Sequence, residues 1–249
     1  MRSLLFAANW KMHVGPAAAR TYIDQFLAGY QAEAGRRVWF FPPATSLHTV
    51  SQEIAAREDL AAGAQDVHWE PKGAFTGEIS VPLAVEAGAR AALIGHSERR
   101  HVFGETDAET GLKVRAVLAG KLVPVLCVGE KLEQREAGKT LAVVERQLAG
   151  GLEGLEPDAL RKVIIAYEPV WAIGTGKNAT PGDAAQVHAA IRGWLTQRGA
   201  ASPVVLYGGS VNLKNIADLL AERELDGVLV GGASLEAATW LQLVSTPVS

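Results

Sequence analysis

The sequence predicts an α/β fold in which eight parallel strands, each followed by a helix, close into a (β/α)8 barrel within a single domain spanning residues 1–249. Three observations predict it. Eight short apolar runs recur along the chain, helical hydrophobic periodicity separates them, and a length of 249 residues is usual for such a barrel. The runs are almost continuously apolar, as parallel strands covered on both faces must be, and do not alternate as in a half-wet sheet. An open doubly wound sheet is the competing arrangement. It has no need of eight even units, and no Gly-x-Gly-x-x-Gly follows the first run to mark a dinucleotide site.

The first run, Leu4–Ala8, leads into Asn9-Trp10-Lys11. Alone, Asn9 is an ordinary turn former and Lys11 a solvated loop lysine. Spaced i, i+2 on a strand exit they point the same way, and can offer an amide and an ammonium to one substrate. Pro16 suits a first helical position, ahead of Ile23, Phe26, Leu27 and Tyr30 on one face. The second and third runs are Val38–Phe41 and Leu60–Ala64. After the third comes a long excursion, Gln65 to Ser80, carrying Trp69, Phe75 and several glycines. Loops of that length inside a compact domain are usually functional.

The fourth run, Ala91–Ile94, leads into Gly95-His96-Ser97-Glu98-Arg99-Arg100, where a helix is expected to begin. A lone histidine is more often structural than catalytic. At a helix N-terminus, however, the dipole disfavours imidazolium, and a neutral ring can aim its N–H at a carbonyl oxygen. Thr106-Asp107-Ala108-Glu109 has the form of a capping box, ahead of Val114, Val117 and Leu118. The fifth run, Leu122–Val128, holds the only cysteine, Cys127, read as a packed small hydrophobe.

The sixth run, Val163–Tyr167, is followed at once by Glu168 and Pro169. Taken alone, Glu168 reads equally as a surface carboxylate at a loop start. Yet Val170 to Ile173 are four apolar residues in a loop that ends in Gly174-Thr175-Gly176, a pattern suited to a lid that excludes water. Under such a lid a carboxylate would be desolvated and become a stronger base. Thr180-Pro181-Gly182-Asp183 reads as a helix start before Val187, Ile191 and Trp194. The last runs, Val204–Tyr207 and Val228–Val230, end in Gly208-Gly209-Ser210 and Gly231-Gly232. Either pair alone can simply permit a tight turn. Together, at the strand-7 and strand-8 exits of a barrel, they suit a phosphate held by backbone N–H groups.

Composition narrows the partners. A formal net charge of −3 provides no strong positive field for nucleic acid, so any bound anion must be drawn by local features. The N-terminal apolar run is too short for a signal peptide or a membrane span, and one cysteine permits no internal disulfide. The expected location is cytoplasmic.

Asn9-Trp10-Lys11-Met12, Gly95-His96-Ser97-Glu98-Arg99-Arg100, the stretch Ala166 to Gly176, Tyr207-Gly208-Gly209-Ser210-Val211 and Val230-Gly231-Gly232-Ala233-Ser234 together resemble the triosephosphate isomerase family, in order and in spacing. The resemblance implies a TIM barrel without cofactor or metal that interconverts dihydroxyacetone phosphate and glyceraldehyde 3-phosphate in glycolysis and gluconeogenesis. It implies Glu168 as the base, His96 as donor to the enediolate oxygens, Lys11 and Asn9 as charge and amide donors, and Glu98 as the residue holding Lys11. That family is itself the standard example of a glutamate base paired with a neutral histidine and of lid closure, so the pairing is an implication of the resemblance. Phosphate would rest on Gly174, Ser210, Gly231 and Gly232, and the lid would be Pro169, Val170, Trp171, Ala172, Ile173, Gly174, Thr175, Gly176 and Lys177. Gly73-Ala74-Phe75-Thr76-Gly77-Glu78 resembles the family's interdigitating loop, implying a homodimer with contacts from Gln65, Phe75 and Thr76. His13, where the family more often has asparagine, and Asn178 depart from the pattern outside the chemistry. The competing functions are another phosphate-binding barrel isomerase or epimerase, which the Glu168 and His96 segments do not suit, and a non-catalytic barrel scaffold. The scaffold would be expected to lack one of Lys11, His96 or Glu168, and all three are present.

Overall fold

The computed structural model describes residues 3–172 and 179–247. In chain order these form β1 (Leu4–Asn9), α1 (Pro16–Gly29), β2 (Arg36–Phe41), α2 (Ala44–Glu53), β3 (Leu60–Ala64), α3 (Val81–Glu86), β4 (Ala91–Ile94), α4 (Ser97–His101), α5 (Asp107–Ala119) and β5 (Val123–Val128). There follow α6 (Leu132–Glu136), α7 (Thr140–Gly151), α8 (Pro157–Leu160), β6 (Ile164–Tyr167), α9 (Pro181–Thr196), β7 (Val205–Tyr207), α10 (Ile216–Ala221), β8 (Gly227–Val230) and α11 (Ala237–Val244). The strands pair in sequence order, all parallel, and β8 returns to β1 to close the barrel.

Alternate residues of each strand divide between two cores. Leu5, Ala7, Trp39, Phe41, Leu93, Val125, Cys127, Ala166 and Leu206 fill the barrel interior. The intervening positions, among them Phe6, Phe40, Ile94, Leu126 and Ile165, pack outward against the helices. The interior is filled by matching large with small. A Cβ at Gly63 of β3 would stand 2.4 Å from the ring of Phe41, so the small residues of β3 make room for the aromatic residues of β2. Burial pushes the Cys127 thiol well up, which fits its packing role.

The helix starts follow their local chemistry. Thr106 caps α5 and Thr180 caps α9, each in a reciprocal box with an acidic residue three positions on, and proline stands in the first turn of α1 and α9. Ile23 and Phe26 of α1 are buried, as are Val114 and Val117 of α5 and Val187 and Ile191 of α9. Among the described residues no helix is long and apolar enough to cross a membrane. The excursion after β3 is closed at its neck by a bond from the His68 N–H to the Ile79 carbonyl, 2.8 Å. Within it His68 stacks on Trp69 and lies against Phe75, with both ring centroids 4.2 Å away.

Candidate active site

The C-terminal ends of the strands surround a cavity of about 360 Å³ lined by Asn9, Lys11, His96, Glu168, Ser210 and the Gly231-Gly232 turn, among others. Lys11 sits at its mouth in a left-handed backbone conformation, φ +51°. That conformation costs a non-glycine residue roughly 1–2 kcal/mol. Two side chains hold it there. Asn9 Oδ1 accepts the Lys11 N–H at 3.0 Å, and the Gln65 side-chain amide donates 2.8 Å to the Lys11 main-chain carbonyl and 2.8 Å to that of Phe41. Lys11 Nζ then reaches Glu98 at 2.7 Å. Its chain passes over Gly231, where an added Cβ would come within 3.1 Å of Lys11 Cε.

His96 caps α4. Its Nδ1 accepts the Glu98 N–H at 3.3 Å, which leaves the ring proton on Nε2, and Nε2 lies 3.0 Å from Glu168 Oε1. The other Glu168 oxygen accepts the Ser97 N–H at 2.8 Å, and Glu168 is only 2% exposed. Burial works against charge on both members of this pair, and is outweighed. The Glu168 charge and its hydrogen bond hold His96 above its ordinary pKa. His96, the Ser97 N–H and Lys11 together hold Glu168 below its own. Position alone predicts a histidine kept neutral by the helix start and a glutamate made more basic by desolvation. The mutual contact reverses both directions while the two groups face each other.

Gly208 serves the carboxylate as well as the turn. A Cβ there would stand 2.8 Å from Glu168 Cγ. Across the cavity the Ser210 and Gly232 N–H groups form no hydrogen bond among the described residues, and are free for an anion. Their turns are fixed from behind. Asn215 donates 3.0 Å to the Ser210 carbonyl, and the Ser234 hydroxyl donates to the carbonyls of Val230 and Gly231 at 3.0 and 2.7 Å.

Of the lid, Pro169 to Ala172 are described, and Val170–Ala172 form one 3-10 turn. Ile173, Gly174, Thr175, Gly176, Lys177 and Asn178 lie outside the described residues. The near end of the loop is anchored on Glu130, a fully buried carboxylate that accepts the Trp171 indole N–H at 2.9 Å and the Tyr167 hydroxyl at 3.1 Å. Arg135 stacks its guanidinium over the Trp171 ring, 4.6 Å from its centroid.

Sequence reasoning therefore locates Asn9, Lys11, His96, Glu98 and Glu168, and the structure brings all five together. It misses Glu130 and the Ser97 N–H. Gln65, expected at a partner contact, places its amide on the Lys11 and Phe41 carbonyls of its own chain. Glu130 had a signal, since it stands after Gly129 at the exit of β5, where the rule applied to the other strands also holds. Thr76 and Phe75 lie on the excursion, with Phe75 42% exposed. Among the described residues no group of three or more histidine, cysteine or acidic side chains is placed to hold a metal ion.

A family model described as triosephosphate isomerase matches residues 4–246. The chain is 47% identical over 248 residues to the triosephosphate isomerase of Roseiflexus sp. (strain RS-1), covering 98% of this chain and 97% of that protein. It is 48% identical to that of Thermus thermophilus, with 98% of each chain covered, and 46% identical to that of Moorella thermoacetica, with 98% and 99% covered.

Proposed function

The chain belongs to the triosephosphate isomerase family and interconverts dihydroxyacetone phosphate and glyceraldehyde 3-phosphate, a step of glycolysis; from that premise we propose which of its residues carry the reaction. The observation that carries the proposal is the buried contact between Glu168 and His96 Nε2, 3.0 Å, facing unpaired N–H groups across one cavity. The phosphate rests on the Ser210, Gly231 and Gly232 turns. Gly174 joins them on the strength of the sequence alone. Glu168 removes the carbon-bound proton beside the carbonyl and returns it to the neighbouring carbon. His96 donates its Nε2–H to the oxygens in turn, and Lys11 and Asn9 oppose the negative charge of the enediolate. Glu98 keeps Lys11 at the mouth of the cavity.

The coupling between the two groups gives the sequence of events a physical basis. In the free site Glu168 occupies the His96 N–H, so substrate must take that donor for the carboxylate to reach carbon. Once Glu168 holds the carbon proton it is neutral, and its pull on the imidazole disappears. Burial and the start of α4 then favour a neutral ring, whose N–H is well matched to an enediolate oxygen. Replacing His96 with Gln should lower kcat by the ~10²- to 10³-fold typical of losing a preorganised donor, with KM little changed. A variant that keeps near wild-type kcat would remove His96 from the mechanism.

The proposal extends to the lid and to assembly. Pro169 to Lys177 closes over the bound phosphate and spends its binding energy on excluding water; Glu130 and Trp171 fix the near end of that segment. The active form is a homodimer built through the excursion after β3, with Phe75 and Thr76 reaching the partner near its first strand exit. Exposed apolar residues support this. Met12 is 95% exposed beside Lys11, and Phe103 extends the apolar surface of the cleft that Phe75 lines. A cytoplasmic location is proposed with it, in keeping with a single, buried and unpaired cysteine.

A further inference from the structure

Arg100 stands two helical positions after Glu98 but turns away from the cavity, and its side chain is almost fully buried. It makes three contacts. Nε donates 2.7 Å to the Gly95 carbonyl, one terminal nitrogen donates 3.1 Å to the Cys127 carbonyl, and the other reaches Asp107 at 2.6 Å. Asp107 opens α5, where the helix dipole favours its charge, and its second oxygen is taken by Arg146 at 3.0 Å. The fork is thus anchored at its back and aimed at two strand ends.

Of these strands, β4 leads into His96; β5 pairs with β6, which leads into Glu168, and the Glu168 N–H donates 2.8 Å to the Val128 carbonyl of β5. The last register pair of β4 and β5 is Ile94 with Leu126. Gly95 follows β4 directly and Cys127 is the next residue of β5, and the guanidinium bridges their carbonyls. The Gly95 carbonyl belongs to the peptide whose N–H is that of His96, so the bond fixes the plane from which the imidazole departs. Cys127 packs beside Glu168, whose charge adds to the upward push on the thiol. Gly95 itself has φ +67°, and a Cβ there would stand 2.6 Å from the Arg100 guanidinium, so the arginine lies against the α-carbon preceding His96.

We propose that Arg100 is a positioning residue for proton transfer: by bridging the ends of β4 and β5 it sets the distance between His96 and Glu168. The proposal rests on the roles given to those two residues above. Lysine in its place keeps the charge but lacks the planar fork needed to hold two carbonyls and a carboxylate at once. A shift of about 1 Å in a reacting group can cost ~10²-fold in rate. Arg100→Lys should therefore lower kcat by ~10- to 10²-fold while KM stays within about twofold, because the phosphate turns lie across the barrel.

Two phosphate compounds separate positioning from general loss of packing. Phosphoglycolate carries a planar carboxylate that imitates the enediolate, whereas glycerol 3-phosphate offers the phosphate without it. Arg100→Lys should weaken phosphoglycolate by a factor similar to the loss in kcat and leave glycerol 3-phosphate unchanged. Equal weakening of both, or of neither, would overturn the proposal, as would an unaltered kcat. If Arg100→Lys folds poorly by circular dichroism, Asp107→Asn releases the anchor of the fork and should show the same selective loss, smaller in size; an unchanged ratio there would overturn it equally. His96→Gln serves as the reference. If it leaves the ratio untouched, the assignment of His96 is at fault and the proposal falls with it. If it abolishes the preference while Arg100→Lys does not, only the bridging role fails.

Discussion

His188, on the buried face of α9, is a histidine that the chemistry does not use. Its Nδ1–H donates 3.2 Å to the Glu224 carbonyl, Nε2 has no partner among the described residues, and the ring meets the Tyr167 ring edge-on at 6.0 Å. Burial pushes its pKa down to about 3. The unfolded chain takes up a proton near pH 6.5, and the folded chain does so only near 3. Between those values the unfolded state binds more protons, so stability is full above about pH 6.5 and falls as the pH drops through the window, by up to ~1.4 kcal/mol per pH unit. His188→Gln should flatten the slope of unfolding free energy against pH between about 6.5 and 4.5. Equal slopes in urea titrations of both proteins would contradict this. At the residue scale, the site is legible where the barrel dictates direction: Asn9, Lys11, His96 and Glu168 stand at strand exits, which a barrel turns toward one cavity. Gln65 and Arg100 are not legible, because each acts on a backbone carbonyl distant in sequence, and no side-chain pattern marks which carbonyl needs a donor.

At the scale of the element, the runs expected from hydrophobicity coincide with the eight strands to within a residue or two at each end. Val38–Phe41 extends back to Arg36, because Arg36 pairs with Leu4 and its guanidinium is taken by the Val244 and Thr246 carbonyls near the C-terminus. Apolar count cannot reveal an arginine satisfied from so far along the chain. Helix starts with a capping box are legible, as at Thr106 and Thr180. Tyr30, expected on the apolar face of the first helix, is buried just past its end and stacks on Phe26, with 4.8 Å between ring centroids. The anchored start of the lid belongs to this scale too. Trp171 reads as an apolar residue on a loop, but its indole N–H commits it to Glu130 at 2.9 Å.

The whole molecule buries its strands on both faces yet leaves apolar side chains exposed around the excursion after β3. Phe75 and Phe103 are 42 and 68% exposed and line one cleft, an apolar surface that a partner can cover. The proposed dimer covers them and brings Thr76 toward the partner's Lys11 turn, so the site is completed by association. Sedimentation should show a dimer at micromolar protein. Phe75→Glu combined with Thr76→Glu should give monomers with strongly reduced activity, and a fully active monomer at assay concentration would sever the link between association and catalysis. In the sequence the dimer is signalled by the long excursion carrying Trp69 and Phe75 and by the family resemblance of Gly73 to Glu78.

In the proposed reaction Glu168 is the group that moves the proton. Its test is kcat for Glu168→Gln, measured in both directions beside the affinity for glycerol 3-phosphate. Glutamine keeps the shape of the side chain and removes the proton acceptor. General-base catalysis is worth ~10²- to 10⁴-fold, so kcat should fall at least a hundredfold while glycerol 3-phosphate binds as before. Retention of more than about a tenth of wild-type kcat, well short of that range, would contradict the assignment.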